Sequence, residues 1–147
     1  MTRQAFRQLV EEAVDTIPPR FARQVRNVAI VIEDEPSPEL LAEVGLEGDD
    51  TLFGLYQGTP LTDRQWNHGN ALPDLITLFQ GPIESEGEGD EDAMITAVGE
   101  TLIHELGHYF GLSEEAIMAI EEHYWRGLPF DDEGDDGVPV VGEARDP

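Results

Sequence analysis

Two histidines and a glutamate near the carboxyl-terminal third of the chain could together bind a metal ion and carry out hydrolysis. His104 and His108 are four residues apart, so on a helix their rings lie one turn apart on the same face and can converge on a single ion. Glu105 would then lie beside the ion, where its carboxylate can take a proton from water that the metal activates. The spacing therefore predicts a zinc site with a general base next to it.

The residues around this trio have the apolar period of a helix with one buried stripe. Apolar side chains recur close to every fourth position at Met94, Ile95, Val98, Leu102, Leu106 and Phe110. Gly111 follows, and a glycine there allows the helix to end in a left-handed conformation and the chain to reverse. The reversal would bring Glu114 back towards the metal as a third ligand.

The run His-Glu-Leu-Gly-His-Tyr-Phe-Gly-Leu-Ser-Glu, from His104 to Glu114, resembles the extended motif of metzincin-type and aspartate-type zincins. More closely, it resembles the minimal zincin-like metallopeptidases of bacteria. The resemblance implies a zinc ion held by His104 and His108, with Glu105 as the general base and the acidic side chain at 114 as third ligand. The chain departs from the motif at that last position, where zincins have histidine or aspartate. No Met-turn is identifiable, because Met118 lies inside the next predicted helix.

The sequence also allows other interpretations of Glu114 and other candidates for the third ligand. Glu114 follows Ser113, a good N-cap residue, so it could simply be a first-turn acid of the next helix. Glu121 or Glu122 could reach the metal if that helix folded back more sharply. In thermolysin-type zincins the third ligand is a glutamate about twenty residues beyond the second histidine. That position in this chain is Leu128, which cannot bind zinc.

Three other residues each have a chemical and a structural interpretation. His68 and His123 are predicted to be loop or surface histidines rather than ligands. Tyr124 could donate a hydrogen bond to the oxyanion, but an aromatic core residue beside Trp125 is the favoured interpretation.

The charge composition excludes several classes of function. The 147 residues include 32 acidic residues and eight arginines but no lysine, for a net charge of −24. Proteins that bind nucleic acid need Lys and Arg clusters, so we predict no nucleic-acid partner. The sequence contains no run of eighteen apolar residues and no apolar signal core near its start, so we also predict no membrane partner. Cysteine is absent, which excludes a cysteine nucleophile and favours a cytoplasmic location.

Charge is also unevenly distributed along the chain. Acidic residues concentrate at 84–92 and 131–146, and we predict a solvated loop and a solvated tail there. Several of the arginines lie in the first 26 residues, so the first helix is locally basic. That asymmetry, together with the apolar face of this helix, permits a homodimer.

The order of predicted elements gives an α+β fold. We predict helices at 3–17, 39–44, 92–110 and 113–125, strands at 25–33, 52–57 and 75–80, and an irregular segment or hairpin at 58–73. The continuous apolar run at 28–32 is typical of a central strand buried on both faces. The expected architecture is zincin-like: a small mixed sheet with an N-terminal helix, an active-site helix and a following C-terminal helix. We predict one domain over residues 1–126 and an acidic tail at 127–147.

The resemblance also implies how a substrate would bind. In zincins the strand that precedes the active-site helix lies at the rim of the cleft. In this chain that strand is predicted to be Leu75–Gln80, with or without a continuation through Ile83. Its free edge would pair with an extended peptide or protein substrate. The predicted function is a zinc-dependent peptide hydrolase. The alternatives are a non-catalytic zincin-fold protein that binds a peptide or protein partner, and a protein in which the metal is purely structural. Closed structural zinc sites usually have four Cys and His ligands, which disfavours the last.

Overall fold

The computed structural model describes residues 1–46, 52–58 and 74–127, and its secondary structure confirms the predicted α+β class. The elements are α1 (Arg3–Val14), α2 (Pro19–Arg26), β1 (Ala29–Glu33), α3 (Pro38–Glu43), β2 (Gly54–Gln57), β3 (Leu75–Phe79), α4 (Gln80–Gly87), α5 (Glu91–Tyr109) and α6 (Glu114–Trp125). Apart from Gly58 and Gly127, the predicted irregular segment at 58–73 and the predicted tail lie outside the described residues.

The three described strands form a mixed sheet in the order β1-β3-β2. Strand β1 runs parallel to β3, and β2 runs antiparallel to it. The central strand is therefore β3, and four of its five residues are buried. Two predictions were wrong: 25–33 does not supply the central strand, and 75–80 is not an edge. Both runs are apolar, so only long-range pairing decides between them, and β1 exposes Ala29 and Glu33.

The amino-terminal region forms two helices where we predicted one helix and a longer strand. Helix α1 ends at Val14, and Pro19 opens α2 at its first position, where the missing N–H of proline costs nothing. Phe21 and Val25 are buried on α2, so Val25 belongs to a helix rather than to the predicted strand 25–33. The proline pair separates two helices instead of leading into the sheet.

A helix also replaces the acidic loop predicted at 84–92. Helix α4 begins directly after β3 at Gln80, so the strand does not continue through Ile83. Pro82 lies in the first turn, where a helix tolerates it, and Ile83 is fully buried. Asp90 then caps α5 by accepting from the backbone N–H of Asp92. The acidic residues of this segment therefore occupy a short helix and a helix cap.

Helix α5 forms the centre of the molecule and contacts α1, α2, α4, α6 and β2. Its buried residues include Met94, Val98, Leu102, Ile103 and Leu106, which confirms the predicted stripe. Gly107 lets α6 approach closely, because a Cβ there would lie 2.6 Å from Cγ1 of Ile117. This contact fixes α6 beside the end of α5 that carries the two histidines.

None of the described helices is both long enough and apolar enough to cross a membrane.

Candidate metal centre

The chain reverses sharply after α5, as Gly111 predicts. Gly111 has φ of 77°; its N–H donates to the carbonyl of His108, and the N–H of Leu112 donates to the carbonyl of Gly107. These two bonds form a Schellman motif, the usual ending of a helix with a left-handed glycine. Ser113 then caps α6 by accepting from the N–H of Ala116 at 3.0 Å. The reversal turns the start of α6 back towards His108.

The structure brings the three predicted metal donors together. Nε2 of His104 and Nε2 of His108 are 3.2 Å apart, and Oε2 of Glu114 lies 3.2 Å from Nε2 of His108. Donor atoms of all three residues lie within 4.8 Å of one another. The side chains are 42%, 49% and 65% exposed, respectively. The cluster therefore lies at the surface, open to solvent and to a ligand.

Glu105 lies beside the cluster but outside it, as the spacing predicts. Its carboxylate is partly buried, and Oε1 accepts a hydrogen bond of 2.9 Å from the backbone N–H of Tyr56 in β2. Burial raises the pKa of Glu105, and the bond from Tyr56 and the nearby imidazoles of His104 and His108 only partly offset that rise. A raised pKa brings a carboxylate closer to the range in which it acts as a general base near neutral pH.

The side chain of Tyr56 fixes β2 against α5. Its hydroxyl donates to Oδ2 of Asp74 at 2.7 Å and accepts from Nε2 of Gln24 at 3.1 Å. The ring stacks on Tyr109, with 4.8 Å between centroids. Burial and the bond to Asp74 raise the pKa of Tyr56, so it stays protonated and keeps donating. This arrangement could not be predicted from the sequence, because it joins residues far apart in the chain.

Glu121 does not lie where a third metal ligand would lie, although the sequence allowed that role. Its Oε2 lies 3.1 Å from Nδ1 of His104, the ring nitrogen that does not face His108. The Glu121 side chain is only 16% exposed. Glu122, the other alternative, is exposed and pairs with Arg126 at 2.9 Å. Glu121 is thus placed to orient the ring of His104 rather than to join the donor cluster.

The remaining candidates lie away from the donor cluster or outside the described residues. The hydroxyl of Tyr124 lies 3.0 Å from Oγ1 of Thr16, and its ring packs against the core, which confirms the structural interpretation. His123 does not belong to the described donor cluster. His68 and Leu128 lie outside the described residues. A cavity of about 740 Å³ is lined in part by Tyr124 and Asp92 and lies away from the donor cluster.

A second carboxylate on α5 has a perturbed pKa and gives a stability prediction. Burial and the neighbouring charges of Glu121 and Glu86 raise the pKa of Glu100 to about 7 from 4.5, and Tyr124 also faces it. Because the pKa of Glu100 is higher in the folded state than in the unfolded chain, ionised Glu100 destabilises the fold increasingly as pH rises from about 4.5 to 7. In metal-free protein, Glu100→Gln should raise the free energy of unfolding at pH 8 by about 1–2 kcal/mol, an amount reduced for solvent screening of this half-buried group.

Denaturant titrations at pH 5 and pH 8 test this. The gain from Glu100→Gln should be much smaller at pH 5. The same change at exposed Glu12 should alter stability by less than about 0.5 kcal/mol at both pH values. An equal effect of Glu100→Gln at pH 5 and pH 8 would contradict the prediction.

The comparison with known protein families agrees with this geometry. A family model described as zincin-like metallopeptidase matches residues 25–124, about two thirds of the chain. The chain belongs to the zincin-like metallopeptidase family. A comparison with curated proteins found no match. In this zincin-like chain the matched region contains the strands and the donor cluster.

Family membership implies a metal ion, typically zinc, and the donor set of this zincin-like chain fits one. Zinc prefers imidazole nitrogen and carboxylate oxygen at about 2.0–2.1 Å in tetrahedral geometry, which separates neighbouring ligand atoms by about 3.3 Å. Both the His104–His108 and the His108–Glu114 separations are 3.2 Å. These two separations match a tetrahedral ion, and donor atoms of all three residues lie within 4.8 Å of one another, so a zinc ion held by them would keep a fourth position for another ligand.

Proposed function

We propose that this protein is a zinc-dependent peptide hydrolase. The observation that carries the proposal is an open cluster of two imidazoles and one carboxylate with a partly buried glutamate beside it. In this proposal His104, His108 and Glu114 hold the zinc ion and Glu105 is the general base. Three protein ligands and a free position are typical of catalytic rather than structural zinc.

Each proposed residue has a separate role in the reaction. Zinc, when bound, acts as a Lewis acid that lowers the pKa of water and polarises the peptide carbonyl. Glu105 accepts the proton of the attacking water and later delivers a proton to the leaving amine. The backbone N–H of Tyr56 holds one carboxylate oxygen of Glu105, which leaves the other oxygen for the water. Glu114 is the most exposed ligand and therefore the least constrained one.

We further propose that the peptide binds along β2 rather than along β3. The N–H of Phe79 donates to the carbonyl of Phe53, so in antiparallel pairing every second residue from Phe53 faces β3. The alternate residues Gly54 and Tyr56 turn their backbone groups away from β3, and Tyr56 N–H accordingly reaches Glu105. No described strand pairs with this side of β2. In this proposal the outward backbone groups of Gly54, a buried residue, pair with the extended substrate.

Incubation with a library of unstructured peptides tests the proposed function. The zinc-loaded protein should cleave some members, a chelator should stop cleavage, and added zinc should restore it, with products identified by mass spectrometry. Binding without cleavage by any member would favour the non-catalytic alternative, in which the same strand holds a peptide or protein partner.

Glu121 gives a prediction about zinc affinity. A hydrogen bond from Nδ1 of His104 to Glu121 fixes the tautomer that presents Nε2 to the metal. We expect Glu121→Ala to weaken zinc binding by about 10–100-fold in competition with a chromophoric chelator. Glu121→Gln, which can still accept the bond, should lose less. Glu122→Ala, on the same turn of α6, is the matched control and should retain wild-type affinity. Equal affinities for wild type and Glu121→Ala would show that Glu121 does not orient His104.

Several features expected from the sequence stay predictions: the single domain over 1–126, the homodimer, the cytoplasmic location, and the lack of nucleic-acid and membrane partners.

A further inference from the structure

One residue of β2, Tyr56, contacts helix α5 at two successive turns. Its backbone N–H donates to Oε1 of Glu105 at 2.9 Å, and its ring stacks on Tyr109, with 4.8 Å between the ring centroids. Glu105 and Tyr109 are four residues apart, so their side chains lie one turn apart on the same face of α5. A movement of the Tyr56 ring along this face would therefore also move the N–H that holds Glu105.

The far end of the same ring is fixed by two other parts of the fold. The Tyr56 hydroxyl donates to Oδ2 of Asp74, the residue directly before β3, at 2.7 Å. It also accepts from Nε2 of Gln24 in α2 at 3.1 Å. A hydroxyl that both donates and accepts in this way has few alternative positions, because a satisfied polar network makes its members rigid.

The backbone at the end of β2 is shaped to keep Asp74 within reach of this hydroxyl. Gly58 has φ of 146°, a conformation that favours glycine. A Cβ at this position would overlap Oδ1 of Asp74. The carboxylate of Asp74 is therefore packed against the backbone of Gly58 on one side and bonded to Tyr56 on the other.

Support of this kind matters because β2 is short. It has four residues, and within the described part of the chain it pairs only with β3. Strand ends with few partners open locally at a low cost in free energy. Without the contacts of the Tyr56 side chain, the bond from its N–H to Glu105 would be made for a smaller fraction of the time.

We propose that Tyr56 is a positioning residue for the proposed general base. Its ring and hydroxyl hold its own backbone N–H on Oε1 of Glu105, and this bond fixes the carboxylate so that the other oxygen stays free for the attacking water. The inference rests on the proposed function and adds to it a residue that acts through Glu105.

Tyr56→Phe tests the inference, because it removes the hydroxyl and keeps the ring and the backbone N–H. We expect kcat for one cleaved peptide to fall by about 10–100-fold, since a misplacement of about 1 Å can cost this much in rate. KM and zinc content should stay close to wild type. Asp74→Ala should cause a similar loss, and the double variant should be no slower than the slower single variant, because both changes break the same bond.

Tyr124→Phe is the matched control. It removes another tyrosine hydroxyl, which lies 3.0 Å from Oγ1 of Thr16 and away from the donor cluster, and it should leave kcat unchanged. An equal fall in kcat in Tyr56→Phe and Tyr124→Phe would overturn the inference, because it would show a general effect of losing a hydroxyl. Additive losses in the double variant would also overturn it.

Amide hydrogen exchange measured by NMR tests the position of the backbone without turnover. In Tyr56→Phe the N–H at position 56 should exchange several-fold faster than in wild type. The N–H of Phe79, which donates to the carbonyl of Phe53, should exchange as before, because the pairing of β2 with β3 remains. Unchanged exchange at position 56 would overturn the inference whatever the rate of cleavage.

The two proposals fail in different ways. Wild-type protein that cleaves no peptide would overturn the proposed function and this inference together. Wild-type protein that cleaves peptides with a kcat that Tyr56→Phe matches would overturn this inference alone.

Discussion

Glu105→Gln should slow peptide hydrolysis strongly while leaving zinc in place. The amide is nearly the size of the carboxylate and can still accept from the N–H of Tyr56, but it cannot take a proton from water. We expect kcat/KM to fall by about 10²–10⁴, the usual contribution of a general base. The measurement is cleavage of one peptide identified from the library, with zinc content determined on the same samples by elemental analysis.

The control for this variant is Glu91→Gln, an exposed change in the first turn of the same helix. It should leave both zinc content and rate close to wild type. Activity retained by Glu105→Gln would show that Glu105 is not the base. Loss of zinc from Glu105→Gln would instead show that Glu105 helps to hold the ion.

His104→Ala should abolish tight zinc binding. The change removes one of three donors and leaves only His108 and Glu114, and two protein ligands are too few for a stable tetrahedral zinc site. The affinity loss should exceed the roughly 100-fold that is the upper range for residues outside the ligand shell. Competition with a chromophoric chelator measures it.

Thermal unfolding gives an independent readout of the same loss. Zinc at 1,000 times its dissociation constant should stabilise the wild-type fold by about 4 kcal/mol, and this stabilisation should vanish in His104→Ala. His123→Ala, on the last turn of α6, is the control and should keep it. Zinc-dependent stabilisation that survived in His104→Ala would place the ion elsewhere in the chain.

The local part of the site could be predicted from sequence because it lies in one short run. Two histidines four apart need only a helix to meet, and a glycine three residues after His108 needs only a Schellman ending to turn Glu114 back. These arrangements depend on helix geometry and on capping chemistry, both of which are local. The structure brings the three donors together as that reasoning expects.

The residues that support the site could not be predicted, because they depend on how distant elements pack. Tyr56 reaches Glu105 across 49 positions of sequence, and Glu121 reaches His104 only because Gly107 lets α6 approach α5 closely. The order of strands has the same origin. Apolar runs at 28–32 and 75–79 look alike in sequence, and only their pairing makes one of them central.

Two helices were missed for a different reason. Both α2 and α4 contain a proline in the first turn, where it is compatible with a helix but reads as a break. Helix α4 is also short and rich in glycine and glutamate, so its one large buried aliphatic residue, Ile83, gives almost no periodic signal. Its stability comes from packing against α5 rather than from helix propensity.

The central claim is that His104, His108 and Glu114 hold a catalytic zinc ion with one position open. Anomalous diffraction at the zinc edge from crystals of the zinc-loaded protein tests it most directly. We predict one strong peak per chain, about 2.0–2.1 Å from Nε2 of both histidines and from a carboxylate oxygen of Glu114, with a fourth position facing solvent. A peak that lacks either histidine, or no peak in zinc-saturated crystals, would contradict the account.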